Sequence, residues 1–303
     1  MLTPGASREG DGGMVGRPRL EGRVGMLPWV LAIALVVAGV AGCATTGPGR
    51  VAHVEVDRPI APPLPMDAAD ARVLATVSWV LTSELGLPLP WPLTAHFYGS
   101  QDAFVEGLVL RGGADAGSAR EQARYATGVG TARGIFIRSD RLVAAPLVVR
   151  AGLFAHELAH VSQYELARGR RGGSEQWLRE GFADWVRFRT LDALSLRPYA
   201  ESRRRVIEEV RRAGPVGSLP ALGVLVSNRQ WTEARDRAGS PATYGQAFLA
   251  TDWLVERCGH AAVVDYFRRF GDLDDRARNF HDAFGAAPRQ FAEEFRARLP
   301  ALL

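Results

Sequence analysis

The sequence contains no lysine; all 37 of its basic side chains are arginine. Against 33 acids they leave a net charge of +4 and a pI near 9.5. The excess has no nucleic-acid signature, because there is no Cys/His finger spacing and no block of five or more basic residues. Arg203-Arg204-Arg205 and Arg211-Arg212 read as the solvated face of a helix. Cysteine is nearly absent: Cys43 and Cys258 are the only two. They supply no disulfide framework, so the core must hold the fold together. Cys258 follows an apolar helical pattern and reads as a small hydrophobe rather than a nucleophile. No apolar run reaches the roughly 20 residues that a membrane-spanning helix needs. What remains, 303 residues at 47% hydrophobic and 23% charged, is ordinary globular composition, enough for a substantial core in one or two domains.

The apolar run that comes nearest to a span, residues 26–41, has the layout of an export signal. Arg17, Arg19 and Arg23 precede it, and it ends in Val40-Ala41-Gly42-Cys43. That ending resembles the bacterial lipobox, in which small residues admit an extended segment to the signal peptidase and the cysteine thiol takes the lipid. A plain signal anchor is the alternative, and Met14 or Met26 could be the true start. The expected organisation is a lipoprotein signal peptide at 1–42, a Pro/Gly-rich tether at 43–65 and one domain at 66–303. The chain would then sit in the bacterial cell envelope, held to the membrane by lipid on Cys43. Ala44 is not the aspartate that signals inner-membrane retention, which favours the outer membrane.

Residues 71–85 place Val73, Leu74, Val77, Val80 and Leu81 at helical spacing and stop at Gly86. Residues 93–98 alternate and read as a strand. Ser100 opens a helix that runs to Leu110. Residues 127–137, T-G-V-G-T-A-R-G-I-F-I, read as a hairpin whose second strand is Gly134–Arg138. After Pro146 the pattern is helical, over 147–168, 175–193, 200–213, 241–257, 260–270, 277–284 and 288–299. The expected class is α+β: a small N-terminal mixed sheet with helices, then a mainly helical C-terminal half.

Chemistry concentrates in F-A-H-E-L-A-H-V-S-Q-Y, residues 154–164. A helix turns by about 100° per residue, so His156 and His160 share a face one turn apart. Glu157 lies beside that face, within reach of a water that the histidines' metal would hold. Two zinc ligands and a general base is the mechanism this spelling suggests. Two core histidines and a surface glutamate would spell the same letters. A catalytic zinc needs a third protein ligand. The next helix offers Glu180 and Asp184 in W-L-R-E-G-F-A-D-W, four apart on a stripe that is otherwise apolar. Glu180 would complete the metal set, and Asp184 would accept the other ring N–H of a ligating histidine.

Taken together, H-E-L-A-H at 156–160, R-E-G-F-A-D-W at 179–185 and Y-G-Q-A-F-L-A-T-D-W-L-V-E-R-C-G at 244–259 resemble the gluzincin metallopeptidases. The likeness is to the short peptidase-MA-like proteins related to the aminopeptidase-N type, and F-H-D-A-F-G-A-A-P-R-Q-F-A-E-E-F extends it toward residue 300. The resemblance implies a zincin-like core and one zinc ion per chain, held by His156, His160 and Glu180, with Glu157 as base. It also implies that Tyr244 steadies the developing oxyanion; Tyr164, His260 and His281 are rivals for that role. Two departures stand out. The spacer 161–179 is one residue longer than in the aminopeptidases, and the G-x-M-E-N stretch that grips a free amine is missing. An endopeptidase is therefore expected over an aminopeptidase, with Gly134, Ile135, Phe136 and Ile137 as an edge strand that pairs with a peptide or protein substrate. Nucleic acid is not an expected partner. A non-catalytic envelope lipoprotein on the same fold is the alternative. A di-iron bundle would need a second Glu-x-x-His, which the sequence lacks.

Overall fold

The computed structural model describes residues 51–303, so the expected signal peptide and the lipid site at Cys43 lie outside the described residues. Strand β1 (Val51–Val56) leads to α1 (Asp70–Trp79), which ends in a π-turn at Val80–Glu84. Then follow β2 (Leu93–Tyr98), α2 (Gln101–Leu110), α3 (Ala116–Tyr125), β3 (Gly128–Thr131) and β4 (Gly134–Arg138). The rest is helical: α4 (Leu147–Leu166), α5 (Gln176–Ala193), α6 (Tyr199–Ala213), α7 (Asn228–Ala238), α8 (Gln246–Cys258), α9 (His260–Arg269), α10 (Arg276–Phe284) and α11 (Pro288–Leu302). The class is α+β, mostly helical with one small mixed sheet, as the pattern of elements implied. No helix of the described residues is long and apolar enough to cross a membrane.

The sheet order is β1-β2-β4-β3, with β2 and β4 parallel and both outer pairs antiparallel. Strand alternation sends Leu93, Ala95, Phe97, Ile135 and Ile137 to the main core, against Phe154 and Leu158 of α4. Tyr98 and Phe136 point the other way, into a small second core with Phe104, Leu108, Ala119 and Ala123 of α2 and α3. Both faces are thus covered, and every residue of β4 is buried.

Two expectations are corrected here. Gly134–Arg138 is not an edge strand, because β2 and β3 flank it; the free edge beside it is β3. The glycine-rich G-V-G-T of β3 gave too little apolar pattern to mark it as the edge. Nor is all of 43–65 a tether, since V-A-H-V-E-V forms β1 and pairs with β2 from Val51↔Tyr98 to Val56↔Leu93. Its Ala52, Val54 and Val56 pack on the core while Val51, His53 and Glu55 face outward. Helices α3 and α7 were also not foreseen. They have few apolar residues and bury only Ala119 and Ala123, and Trp231 and Ala234, among their hydrophobic positions. Asp115 caps α3 by accepting from the Gly117 and Ser118 N–H groups, and a Ser227–Gln230 capping box starts α7.

The segment that matters most, α5, is clamped on three sides. A Cβ on Gly181 would lie 2.2 Å from the Ala247 carbonyl, so only glycine lets α5 and α8 approach this closely. Trp177 stacks on Phe291, with Trp253 and Phe280 against the same ring, tying the start of α5 to α8, α10 and α11. On its other side α5 packs along α4.

A chain beginning at residue 66 loses β1 and uncovers the edge of β2. Burial of a valine side chain is worth roughly 1.5–3 kcal/mol, so this chain should be less stable than one beginning at residue 45 by at least ~2 kcal/mol. Urea unfolding of the two checks this, and equal midpoints would make β1 dispensable.

Candidate metal centre

Helix α4 delivers His156, Glu157 and His160 to an open cleft, with Gln163 buried beside His160, and α5 delivers Gln176, Glu180, Asp184 and Arg187. The three nominated ligand atoms converge. His156 Nε2 is 3.2 Å from His160 Nε2, and Glu180 Oε2 is 3.4 Å from the first and 3.5 Å from the second. Ligands at about 2.0–2.1 Å in a tetrahedron stand about 3.3 Å apart.

Hydrogen bonding fixes which ring nitrogens are free. Asp184 Oδ1 lies 3.0 Å from His156 Nδ1, so that nitrogen donates. Gln163 Nε2 donates to the Arg179 carbonyl at 2.9 Å, which turns Gln163 Oε1 toward His160 Nδ1 at 3.1 Å, and that nitrogen donates as well. Both Nε2 atoms therefore carry lone pairs directed at each other and at a carboxylate oxygen. Gln176 Nε2 donates to Glu180 Oε1 at 2.7 Å and aims Oε2 at the histidines. Two imidazoles and one carboxylate, braced in this way and open to a cleft, fit a zinc ion of the catalytic kind.

A proton is the one cation the chain itself can supply there. Burial pulls His156 down, but its hydrogen bonds with Asp184 and Glu180 outweigh burial and push its pKa up to about 10. Burial raises Glu180 and Asp184 too, yet His160 and His156 hold Glu180 well below the usual carboxylate range, and His156 with Arg187 lowers Asp184. Glu157 is different. Burial raises its pKa, the charges of His156 and His160 offset this only in part, and the Gly130 N–H is bonded to it.

Glu157 is 5% exposed because β3 lies across it. A Cβ on Gly128 would fall 2.7 Å from Glu157 Cγ, and one on Gly130 2.2 Å from the Glu157 carbonyl and 2.8 Å from His160 Cβ. The two glycines let the free edge of the sheet run over the turn that carries Glu157. Opposite stands Tyr244, in the π-turn Pro241–Gly245, its ring 4.8 Å from that of Trp231. Burial and then the charge of Glu180 raise its phenol.

The cleft, about 1090 Å³, thus brings together His156, Glu157, His160, Glu180, Asp184 and Tyr244, and Tyr164 lines it too. It does not bring in His260, which stacks on Trp185, or His281, which sits exposed beside Asp282 on α10. Nor do Gly134, Ile135, Phe136 and Ile137 line it; they are the buried interior strand. Sequence reasoning missed Gln163, Gln176, Gly128 and Gly130. Gln163 follows His160 by three residues and Gln176 precedes Glu180 by four, spacings that put each on the ligand's helix face. Comparisons with protein-family models, curated proteins and solved structures give no match.

Asp184→Asn and Gln163→Ala should each weaken zinc binding by about 10- to 100-fold, as loss of an orienting partner does. Competition with a chromophoric chelator measures this, and an unchanged affinity would remove the residue from the centre. A pH effect comes from Glu175, at the start of α5. Burial pushes its carboxyl up to about 7, offset in part by Arg276 with Nε at 4.0 Å, and Oε2 has no partner. Its folded pKa lies above the unfolded value, so its contribution is most favourable below pH ~4.5 and is lost as pH rises through about 7. Relative to Glu175→Gln, the wild-type chain should lose a few kcal/mol over that window, at ~1.4 kcal/mol per pKa unit. Unfolding at pH 5 and pH 8 tests it; parallel behaviour of the two proteins would refute it.

Proposed function

We propose that this chain is a zinc-dependent peptidase of the gluzincin type, on a zincin-like core, carried in the bacterial cell envelope by lipid on Cys43. The observation that carries the reading is the convergence of His156 Nε2, His160 Nε2 and Glu180 Oε2 at 3.2–3.5 Å, with a buried glutamate beside them. His156, His160 and Glu180 would hold the ion. Zinc, when bound, polarises a carbonyl and brings the pKa of water down to about 7. Glu157 takes the attacking water's proton on its carboxylate and returns it to the leaving amine. Burial raises its pKa, which strengthens it as a proton acceptor. Tyr244 donates its phenolic proton in a hydrogen bond to the developing oxyanion, and burial with the charge of Glu180 keeps that proton in place. The peptide or protein substrate pairs its backbone with the free edge of β3 rather than with β4. That edge is consistent with an endopeptidase, because it grips backbone and not a terminal amine.

The test is metal content and turnover of the full chain. About one zinc per chain is expected, lost in His156→Ala. Glu157→Gln should keep the metal and lower peptide cleavage by about 10²–10⁴-fold. Zinc binding without cleavage of a mixed peptide library would leave a metal-binding protein and overturn the peptidase.

A further inference from the structure

One wall of the cleft carries positive charge that the centre does not use. Eight arginines line the cleft against six carboxylates, and two of those, Glu180 and Asp184, are committed to histidines. Most of the arginines hold their own surroundings. Arg179 donates to the Arg171 carbonyl and the Ser174 hydroxyl, Arg141 to the Tyr125 and Ala126 carbonyls, and Arg133 to that of Arg111. Arg235 stacks on Tyr125 at 3.6 Å.

Beyond Asp184 the pattern changes. Arg187 of α5, Arg197 in the turn between α5 and α6, and Arg205 of α6 share this wall. Arg205 is paired with Glu201 at 2.6 Å. Arg187 reaches Asp184 with Nη1 alone, at 3.4 Å, and its Nε is buried without a partner. Half-buried Arg197 makes no ion pair and no side-chain hydrogen bond among the described residues. Burial, then the charges of Arg205 and Arg187, hold its pKa below the ordinary guanidinium value, and Glu201 offsets this only in part. Like charges gathered along one wall, with a donor left unpaired, are costly until an anion joins them, and a carboxylate matches the guanidinium fork of donors.

We propose that Arg187 and Arg197 form a carboxylate receptor beside the metal centre, which selects peptides with an acidic residue near the scissile bond. This rests on the peptidase reading. Arg187 Nη1 lies 3.4 Å from Asp184 Oδ1, which lies 3.0 Å from His156 Nδ1. An extended peptide rises about 3.3 Å per residue, so the receptor is within reach of side chains one or two positions from the bond cleaved. A free C-terminal carboxylate offers the same chemistry and would make the enzyme release short C-terminal fragments.

The experiment compares peptides that differ only as Glu against Gln at each position, with blocked termini, and a Gln set with a free C-terminus. Each is assayed for cleavage by the zinc-loaded full chain. Each is also titrated by fluorescence anisotropy against Glu157→Gln, which needs no turnover. The expected result is at least a tenfold preference for Glu at one position, weakened by salt. It should vanish in Arg197→Ala and turn against Glu in Arg197→Glu, and Arg197 has no side-chain partner among the described residues whose loss would cost folding. Preference for the free C-terminus instead, lost in the same variants, supports the receptor and identifies the terminal carboxylate as its ligand. Equal affinity for Glu and Gln peptides, binding of neither, or a preference that survives Arg197→Glu overturns it. Binding preference without cleavage would retain the receptor while the peptidase reading fails.

Discussion

Two imidazole lone pairs and a carboxylate oxygen face one another at 3.2–3.5 Å, and their repulsion is relieved only by positive charge among them. Everything near α4 and α5 serves to keep them there. Gln163 and Asp184 fix the ring tautomers, and Gln176 turns the carboxylate. The tail helices hold α5 through the aromatic cluster at Trp177, and Gly181 lets α8 press against the residue next to Glu180. Tight packing is what makes the arrangement affordable, because a loosely held site would let the three groups turn apart.

The sheet contributes through its edge. Its two faces are buried by α1 and α4 on one side and α2 and α3 on the other, which leaves β3 as the strand that meets the cleft. Glycine at 128 and 130 removes the side chains that would otherwise collide with Glu157 and His160. Glu157 is thereby buried under backbone, and burial raises its pKa. A short glycine-rich strand and a buried glutamate are two aspects of one packing requirement.

Charge is distributed along α5 with the same economy. Glu180, Asp184 and Arg187 follow one another on the cleft face at helical spacing, so a carboxylate facing both histidines, a carboxylate bonded to His156 and a cation held by a single 3.4 Å contact stand in sequence along one wall. The absence of lysine sharpens this. Apart from the histidines, every basic side chain that lines the cleft is a planar guanidinium with fixed donors, suited to a carboxylate rather than to diffuse attraction.

Much of this was legible in the sequence. His156 and His160, and likewise Glu180 and Asp184, pair within single helices, where a four-residue spacing sets the face without reference to the rest of the chain. The same locality made the α+β class and most helices after Pro146 readable. Tertiary structure alone decided that β4 is interior and β3 the edge, that 51–56 joins the sheet, that Gln163 braces His160, and that Gln176 and Arg197 line the cleft. The reason is physical. Periodicity records which way a side chain points along its own element, whereas strand neighbours and donors arriving from another helix depend on contacts between distant segments that leave no period in either one.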